Sequence, residues 1–111
     1  LHGGLLGGVL RKERAGKRRQ SGRAKDALEA RRPQVGAYED FCDEIGEEPA
    51  TVALAWLLHQ PAVTAPIIGP RTMEQLDSST RALKVSLGPD ELARLDDIWP
   101  GHKTAPEDYA W

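Results

Sequence analysis

The residues best suited to chemistry form a short run: Gly69, Pro70 and Arg71, followed by Thr72 and Gln75. A glycine lets the backbone approach a bound group closely, and the proline stiffens the turn. Arg71 presents a planar fork of donors that suits a phosphate. A helix beginning near Thr72 would also point free N–H groups and a partial positive charge at the same anion. Residues of these types are compatible with binding an anion.

The other reactive side chains form no comparable set. His2, His59 and His102 lie far apart in the sequence and do not have the spacing of metal ligands. Cys42 is the single cysteine, so an internal disulfide and a cysteine cluster for zinc are both excluded. A chain with one cysteine favours a reducing, cytoplasmic setting. We therefore expect no metal site and a cytoplasmic protein.

Charge is distributed unevenly along the chain, although the net charge is only −2. Residues 1–25 contain eight Lys or Arg and one Glu, whereas the remainder contains seven Lys or Arg and sixteen Asp or Glu. A basic segment such as residues 1–25, here called the basic arm, is usually a solvated loop, but it can also bind a polyanion. A non-enzymatic module that binds nucleic acid through this arm is therefore the alternative function. Because no aromatic residue lies among the basic ones, stacking on bases is disfavoured, and we expect no nucleic-acid partner.

Length and composition favour one small packed domain, with 111 residues of which 40% are hydrophobic. No apolar stretch approaches the roughly 20 residues of a membrane span, so no membrane partner is expected. The chain begins with Leu rather than Met, which favours a truncated or partial sequence. We divide it into a glycine-rich and basic loop at 1–25, helices and a last strand at 26–99, and a tail at 100–111.

The first half of the chain predicts one strong helix. Residues 1–10 contain four glycines and predict the end of a strand running into a loop, which continues as a basic loop over 11–23. A short helix is predicted over 24–31, which Pro33 would stop or restart. From Gln34, apolar residues at spacings of three and four predict a helix with an acidic opposite face. The stripe comprises Val35, Tyr38, Phe41, Cys42 and Ile45, and the acids opposite are Glu39, Asp40, Asp43 and Glu44.

In the second half of the chain, proline and glycine residues separate the predicted helices and strand. Helices are predicted over 49–59, 73–83 and 89–97, and a strand over 63–68. Thr72 and Gln75 stand at the spacing of a capping box. The helix over 49–59 is apolar almost all round, which is more surface than a short chain covers alone. A lone strand also lacks a partner for its backbone groups, so we expect a piece of a larger α/β protein.

Two stretches resemble a known family. The run PATVALAWLLHQPAVTAPIIGPRTMEQLDSSTRAL, residues 49–83, resembles the last βα unit of the aldo-keto reductases, which are NADPH-dependent carbonyl reductases built on a (β/α)8 barrel. LHGGLLGGVL resembles the family's loop after strand seven, usually S-P-L-x-G-G-L-L-T-G-K-Y, and the ending APEDYAW resembles that of a bacterial subgroup. The resemblance implies an α/β fold, the C-terminal portion of a TIM barrel. This portion would hold the end of strand 7, strand 8 and surrounding helices, and be mostly helical.

The resemblance also implies an NADP(H) site at the C-terminal ends of the barrel strands. Gly69 and Pro70 would form the turn beside the cofactor, and Arg71 would hold the 2′-phosphate that distinguishes NADP from NAD. Three further residues would contact the adenosine end, namely Gln75, Ser78 and Ser79. The family pattern there is Q-x-x-E-N, so serines replace its Glu and Asn.

The same resemblance places the glycine-rich segment under the pyrophosphate and nicotinamide, through Leu1, Gly3 and Gly4. The lysine of the family's T-G-K-Y corresponds to Val9. Lys12 or Arg23 would take over its phosphate contact, and Arg23 matches a family S-R-A pattern.

In the family, a Tyr general acid donates the proton, assisted by a Lys paired with an Asp, and a His orients the carbonyl substrate. All four belong to the first four strands, which correspond to no part of this chain. A general acid must lie within hydrogen-bond reach of the carbonyl oxygen. We therefore expect no catalytic residue here, and no carbonyl reduction by the chain alone.

Overall fold

Helices make up the regular structure of this chain in the computed structural model, which describes residues 4–16 and 22–101, without the side chains of 22–24. Among these residues there is no strand, and none of their helices is long and apolar enough to cross a membrane. The described residues form five α-helices, and a 3-10 turn, Ala82–Lys84, follows the fourth. The helices α1 to α5 span Val9–Arg14, Gly22–Ile45, Pro49–Leu58, Met73–Arg81 and Pro89–Ile98.

The three C-terminal helices agree with the sequence prediction to within two residues. Pro49 and Pro89 stand in the first turns of α3 and α5, where the missing N–H would have no helical partner anyway. The Glu91 carboxylate accepts the Gly88 N–H at 2.7 Å and so closes the start of α5. Prolines and capping side chains next to the helix starts therefore set the boundaries of these helices.

The prediction that Pro33 separates two helices is wrong, because α2 runs through it without interruption. A proline inside a helix removes one hydrogen bond and crowds the preceding turn, at a cost of about 3 kcal/mol. Leu28 and Val35, on either side of Pro33, are both fully buried in one apolar cluster with Leu5 and Val9. Packing on both sides of the proline thus holds α2 continuous.

The basic loop predicted over 11–23 is also partly wrong, because α1 occupies its beginning. Val9 and Leu10 are buried against α2, so forming α1 removes apolar surface from water. Gly8, the residue before α1, has a φ of 74°, a conformation that favours glycine. Tertiary contact therefore makes a helix from a sequence with little helical pattern of its own.

The apolar stripe predicted on α2 is confirmed as the main core element. Tyr38, Phe41 and Cys42 are buried in one cluster with Val52, Ala53 and Ala55 of α3, which Leu87 and Leu95 complete. Burial raises the pKa of the Cys42 thiol to about 12, so the thiol stays protonated at neutral pH. Cys42 serves as a small apolar core residue.

The strand predicted over 63–68 does not form. These residues are irregular, and Ile67 is fully exposed at 102% of its reference area while Ile68 is 41% exposed. A strand is defined by hydrogen bonds to a neighbour, and the described residues provide no second strand. The end of strand 7 is predicted within residues 1–10; residues 1–3 lie outside the described part, and residues 4–10 form a turn and the start of α1 rather than a strand. Most of the predicted tail, 102–111, lies outside it too.

Thr72→Ala is expected to lower the free energy of unfolding by about 1 kcal/mol. The Thr72 hydroxyl accepts the Gln75 N–H at 3.2 Å and caps α4, so the alanine leaves that donor without its partner. Thr80→Ala is the matched control, because the Thr80 hydroxyl only donates back to the Asp77 carbonyl within α4 and alanine is the better helix former. Urea unfolding followed by circular dichroism compares the two variants. Equal losses would contradict the capping role.

Candidate functional site

Two hydrogen bonds that both involve Gln75 hold the start of α4. The Thr72 hydroxyl accepts the Gln75 N–H, and the Gln75 side-chain oxygen accepts the Arg71 N–H at 2.8 Å. Both bonds fold the backbone of residues 71–75 into a fixed turn. Gln75 therefore has a structural task, whatever else it contacts, and it positions Arg71 directly before the helix.

Arg71 is exposed, and its guanidinium forms no ion pair with any carboxylate in the described part of the chain. Gly69 and Pro70 before it are exposed as well, and a side chain at Gly69 would meet no atom within 4 Å. Arg71 precedes the N-cap residue Thr72 of α4, and its guanidinium carries five donors. This arrangement can receive a phosphate from solvent.

Ser78 and Ser79 lie one turn further along α4, and their hydroxyls are already bonded. The Ser78 and Thr51 hydroxyls lie 2.9 Å apart, which joins α4 to α3. The Ser79 hydroxyl donates to the Gln75 carbonyl at 2.8 Å. Ser78 thus faces the protein, whereas Ser79 remains on the helix surface, half-buried.

The glycine-rich segment forms a turn before α1. Gly4 has a φ of 88° and Gly8 a φ of 74°, and the Gly7 N–H donates to the Gly4 carbonyl at 3.3 Å. Leu1 and Gly3 lie outside the described residues, as does the Arg23 side chain. A cavity of about 200 Å³ lies beside this turn, lined by Gly7, Gly8, Arg11, Lys12, Ala15 and Glu48.

The charges around that cavity are mixed. The Arg11 guanidinium binds Asp43 and also lies 3.6 Å from a Glu48 carboxylate oxygen, so its charge is largely compensated. Lys12 is exposed and supplies a further positive charge. Because Arg11 is bound within the protein, the structure adds no support for the alternative of a nucleic-acid-binding arm.

The structure places the two parts of the predicted site on separate elements. α1 packs against α2, and α4 packs against α3. No residue of 69–79 lines the cavity beside the glycine-rich turn, as far as the described residues show. The chain therefore presents two candidate phosphate-facing segments rather than one closed pocket.

Glu39 is the important residue near this site that the sequence reasoning missed. It was expected on the exposed acidic face of α2, yet it is only 4% exposed. Its carboxylate accepts the Leu10 N–H at 2.8 Å and the Arg11 N–H at 3.0 Å. The available signal was its position four residues after Val35, which places it beside the apolar stripe.

Neither the described tyrosine nor the described histidine is free for chemistry. The Tyr38 hydroxyl donates to the Pro49 carbonyl, and burial raises the pKa of Tyr38 far above its ordinary value. His59 Nδ1 lies 2.7 Å from the Ala55 carbonyl, and Nε2 accepts the Leu87 N–H at 3.2 Å. In residues 4–16 and 22–101 no cluster of His, Cys, Asp and Glu could hold a metal.

An apolar groove of about 340 Å³ crosses one face of α3. Its walls include Tyr38, Trp56, Leu57, Leu95 and Trp99. The sequence predicts more apolar surface on this helix than a short chain covers, and Trp56 and Leu57 are indeed only half-buried.

A family model and several curated relatives match this chain. The model of the aldo/keto reductase family matches residues 1–100. The uncharacterized oxidoreductase YrpG of Bacillus subtilis is 48% identical over 112 residues, covering 100% of this chain and 34% of that protein. The aryl-alcohol dehydrogenase [NADP(+)] of Phanerodontia chrysosporium is 35% identical over 79 residues, 70% of this chain and 20% of that protein.

The norsolorinic acid reductase stcV of Emericella nidulans is 39% identical over 61 residues, which cover 51% of this chain and 16% of that protein. The chain thus spans about a third or less of the length of these relatives.

Proposed function

The chain belongs to the aldo/keto reductase family, and on that premise we propose that it is the C-terminal part of an NADP(H)-dependent carbonyl reductase. It supplies cofactor-binding elements, and the residues that protonate the carbonyl lie outside it. The substrate is a small aldehyde or ketone. The single buried cysteine, Cys42, is compatible with the cytoplasmic setting that we propose.

The observation that carries this proposal is the exposed Arg71 before α4, which forms no ion pair with any described residue. Its guanidinium would offer a bidentate contact to the 2′-phosphate of NADP, and Arg71 precedes the N-terminus of α4, whose first N–H groups attract anions. Gln75 orders the turn through its bond to the Arg71 backbone. Ser78 and Ser79 would add contacts at the adenosine end, although both hydroxyls are already bonded within the protein.

The glycine-rich turn would lie under the pyrophosphate, with Leu1, Gly3 and Gly4 closest and with Lys12 or Arg23 beside the phosphates. NADPH supplies the hydride when it is bound, and the residues of this chain bind and orient it. Of these residues, Gly4 has the left-handed backbone that lets a turn approach a ligand closely.

The barrel also accounts for two surfaces that the chain leaves open. The exposed segment 63–68 would pair as strand 8 with neighbouring strands, and the groove over Trp56 and Leu57 would lie under the remaining barrel. Both surfaces are apolar, as an interior barrel strand and its covering helix require. We therefore propose that the complete fold is a (β/α)8 barrel.

We expect the purified 111-residue chain to oxidise no NADPH in the presence of 4-nitrobenzaldehyde, because no described residue stands as a free general acid. A hybrid, in which this chain replaces the matching third of the Bacillus subtilis relative, is expected to bind NADPH. Absorbance at 340 nm follows oxidation, and fluorescence titration follows binding, with the intact relative as control.

Turnover by the isolated chain that persists through repeated purification would show that the catalytic group lies within it. A folded hybrid that fails to bind NADPH, beside an intact relative that binds it, would contradict the proposed role of this chain.

A further inference from the structure

Glu39 stands out among the groups that the proposed function leaves unused. Ionised glutamates are almost never fully buried unless they are paired, yet Glu39 is only 4% exposed. No cation is its partner in the described part of the chain; two backbone amides are, those of Leu10 and Arg11. Such bonds to a charged acceptor are stronger than neutral ones.

These two amides belong to the first turn of α1, whose N–H groups lack helical partners. Gly8, the residue before α1, has no side chain that could cap them. Glu39 lies 29 residues from Leu10 along the chain, so α2 supplies the cap that α1 lacks. The carboxylate thereby holds the beginning of α1 in place.

The glycine-rich turn ends at the residue before α1. Gly7 and Gly8 allow many backbone conformations, so the turn keeps one shape only if its ends are held. One end is held by the bonds from Leu10 and Arg11 to Glu39. The Gly7 N–H bond to the Gly4 carbonyl then closes the turn on itself.

We propose that Glu39 is a positioning residue for the cofactor: it anchors α1 so that the glycine-rich turn presents one preformed surface to the pyrophosphate. This inference rests on the proposed function. Glu39 does not touch the ligand itself, since its carboxylate is buried under the first turn of α1. It also occupies the Leu10 and Arg11 N–H groups of that turn, so the phosphates would meet the glycine backbone and Lys12 instead.

Because Glu39 is negatively charged, an electrostatic role and an anchoring role predict opposite changes in NADPH affinity when it is removed. A nearby carboxylate repels an anionic ligand, so its removal would strengthen NADPH binding if electrostatics alone mattered. If Glu39 acts by anchoring the turn, its removal weakens binding. Glu39→Gln retains one acceptor oxygen but turns an NH2 group toward the second N–H, and it should lie between wild type and Glu39→Ala.

The first measurement is amide hydrogen exchange by NMR on the full chain. In Glu39→Ala, the Leu10 and Arg11 amides should exchange roughly tenfold faster or more, while the α3 amides of Val52 and Ala55 keep their rates. Glu44→Ala is the matched control, since Glu44 is an exposed acid on the same helix and binds Arg94. Unchanged rates at Leu10 and Arg11 in Glu39→Ala would overturn the inference.

The second measurement is the NADPH dissociation constant of the hybrid protein. Glu39→Ala should raise it roughly tenfold, Glu39→Gln should raise it less, and Glu44→Ala should leave it unchanged. A constant that stays the same or falls in a folded Glu39→Ala variant would overturn the positioning role. Arg71→Ala, measured alongside, tests the proposed function separately: if it alone weakens binding, the cofactor site stands and the inference about Glu39 fails.

Discussion

Arg71→Ala is expected to weaken NADPH binding by about ten- to a hundred-fold while NADH binding changes little. The alanine removes both the charge and the bidentate donors that would hold the 2′-phosphate, a group that NADH lacks. The Arg71 guanidinium has no competing carboxylate among the described residues. The quantity that decides is the ratio of the NADPH and NADH dissociation constants, measured in the hybrid protein before and after the substitution.

The matched control is Arg81→Ala, at the other end of the same helix. The Arg81 guanidinium binds the Glu47 carboxylate through two contacts of 2.8 Å and holds the pKa of Glu47 below its usual value. Its removal changes the net charge by the same amount without removing the proposed phosphate ligand. An unchanged ratio in Arg71→Ala, or an equal change in Arg81→Ala, would mean that Arg71 is not the 2′-phosphate ligand.

Phe41→Ala is expected to reduce the free energy of unfolding by roughly 3–5 kcal/mol. Phe41 is completely buried at the centre of the cluster that joins α2, α3 and α5, so truncation leaves a cavity. The Arg94 guanidinium also lies 5.0 Å from the ring centroid and would lose that contact. Small domains are stabilised by only about 5–15 kcal/mol, so a loss of this size removes a large fraction of the total and should lower the urea midpoint markedly.

Urea unfolding of the full chain measures this loss, and Leu83→Ala is the control. Leu83 is 74% exposed, and its truncation should change the free energy of unfolding by less than about 0.5 kcal/mol. If Phe41→Ala cost no more than Leu83→Ala, the described core would not be the one that stabilises the chain.

Several features followed from the local sequence alone. The boundaries of α3, α4 and α5 depend on Pro49, Thr72 and Pro89, which act on their own neighbouring turns. The buried stripe of α2 follows from apolar spacing, because residues three and four apart share a helix face. Family membership was also visible in the sequence, and the match to the family model confirms it.

Other features depend on contacts between distant parts of the chain. α1 forms because Val9 and Leu10 pack against α2, and α2 continues through Pro33 because its two halves are buried in the same cluster. No pattern within either segment contains that information. Propensity is a weak preference that packing overrides when enough apolar surface is buried.

Glu39 and segment 63–68 also depend on hydrogen-bond partners from other parts of the chain, which Glu39 has and the segment lacks. An acid that periodicity assigned to solvent is buried, because two amide donors 28 and 29 residues away satisfy it. A segment with strand-like sequence forms no strand, because the hydrogen bonds of a strand are made by a neighbour that the described chain does not supply. The ends of a helix are determined by residues next to them in the sequence. Whether a charged side chain is buried, or a strand is paired, depends on which hydrogen-bonding groups the fold places next to it.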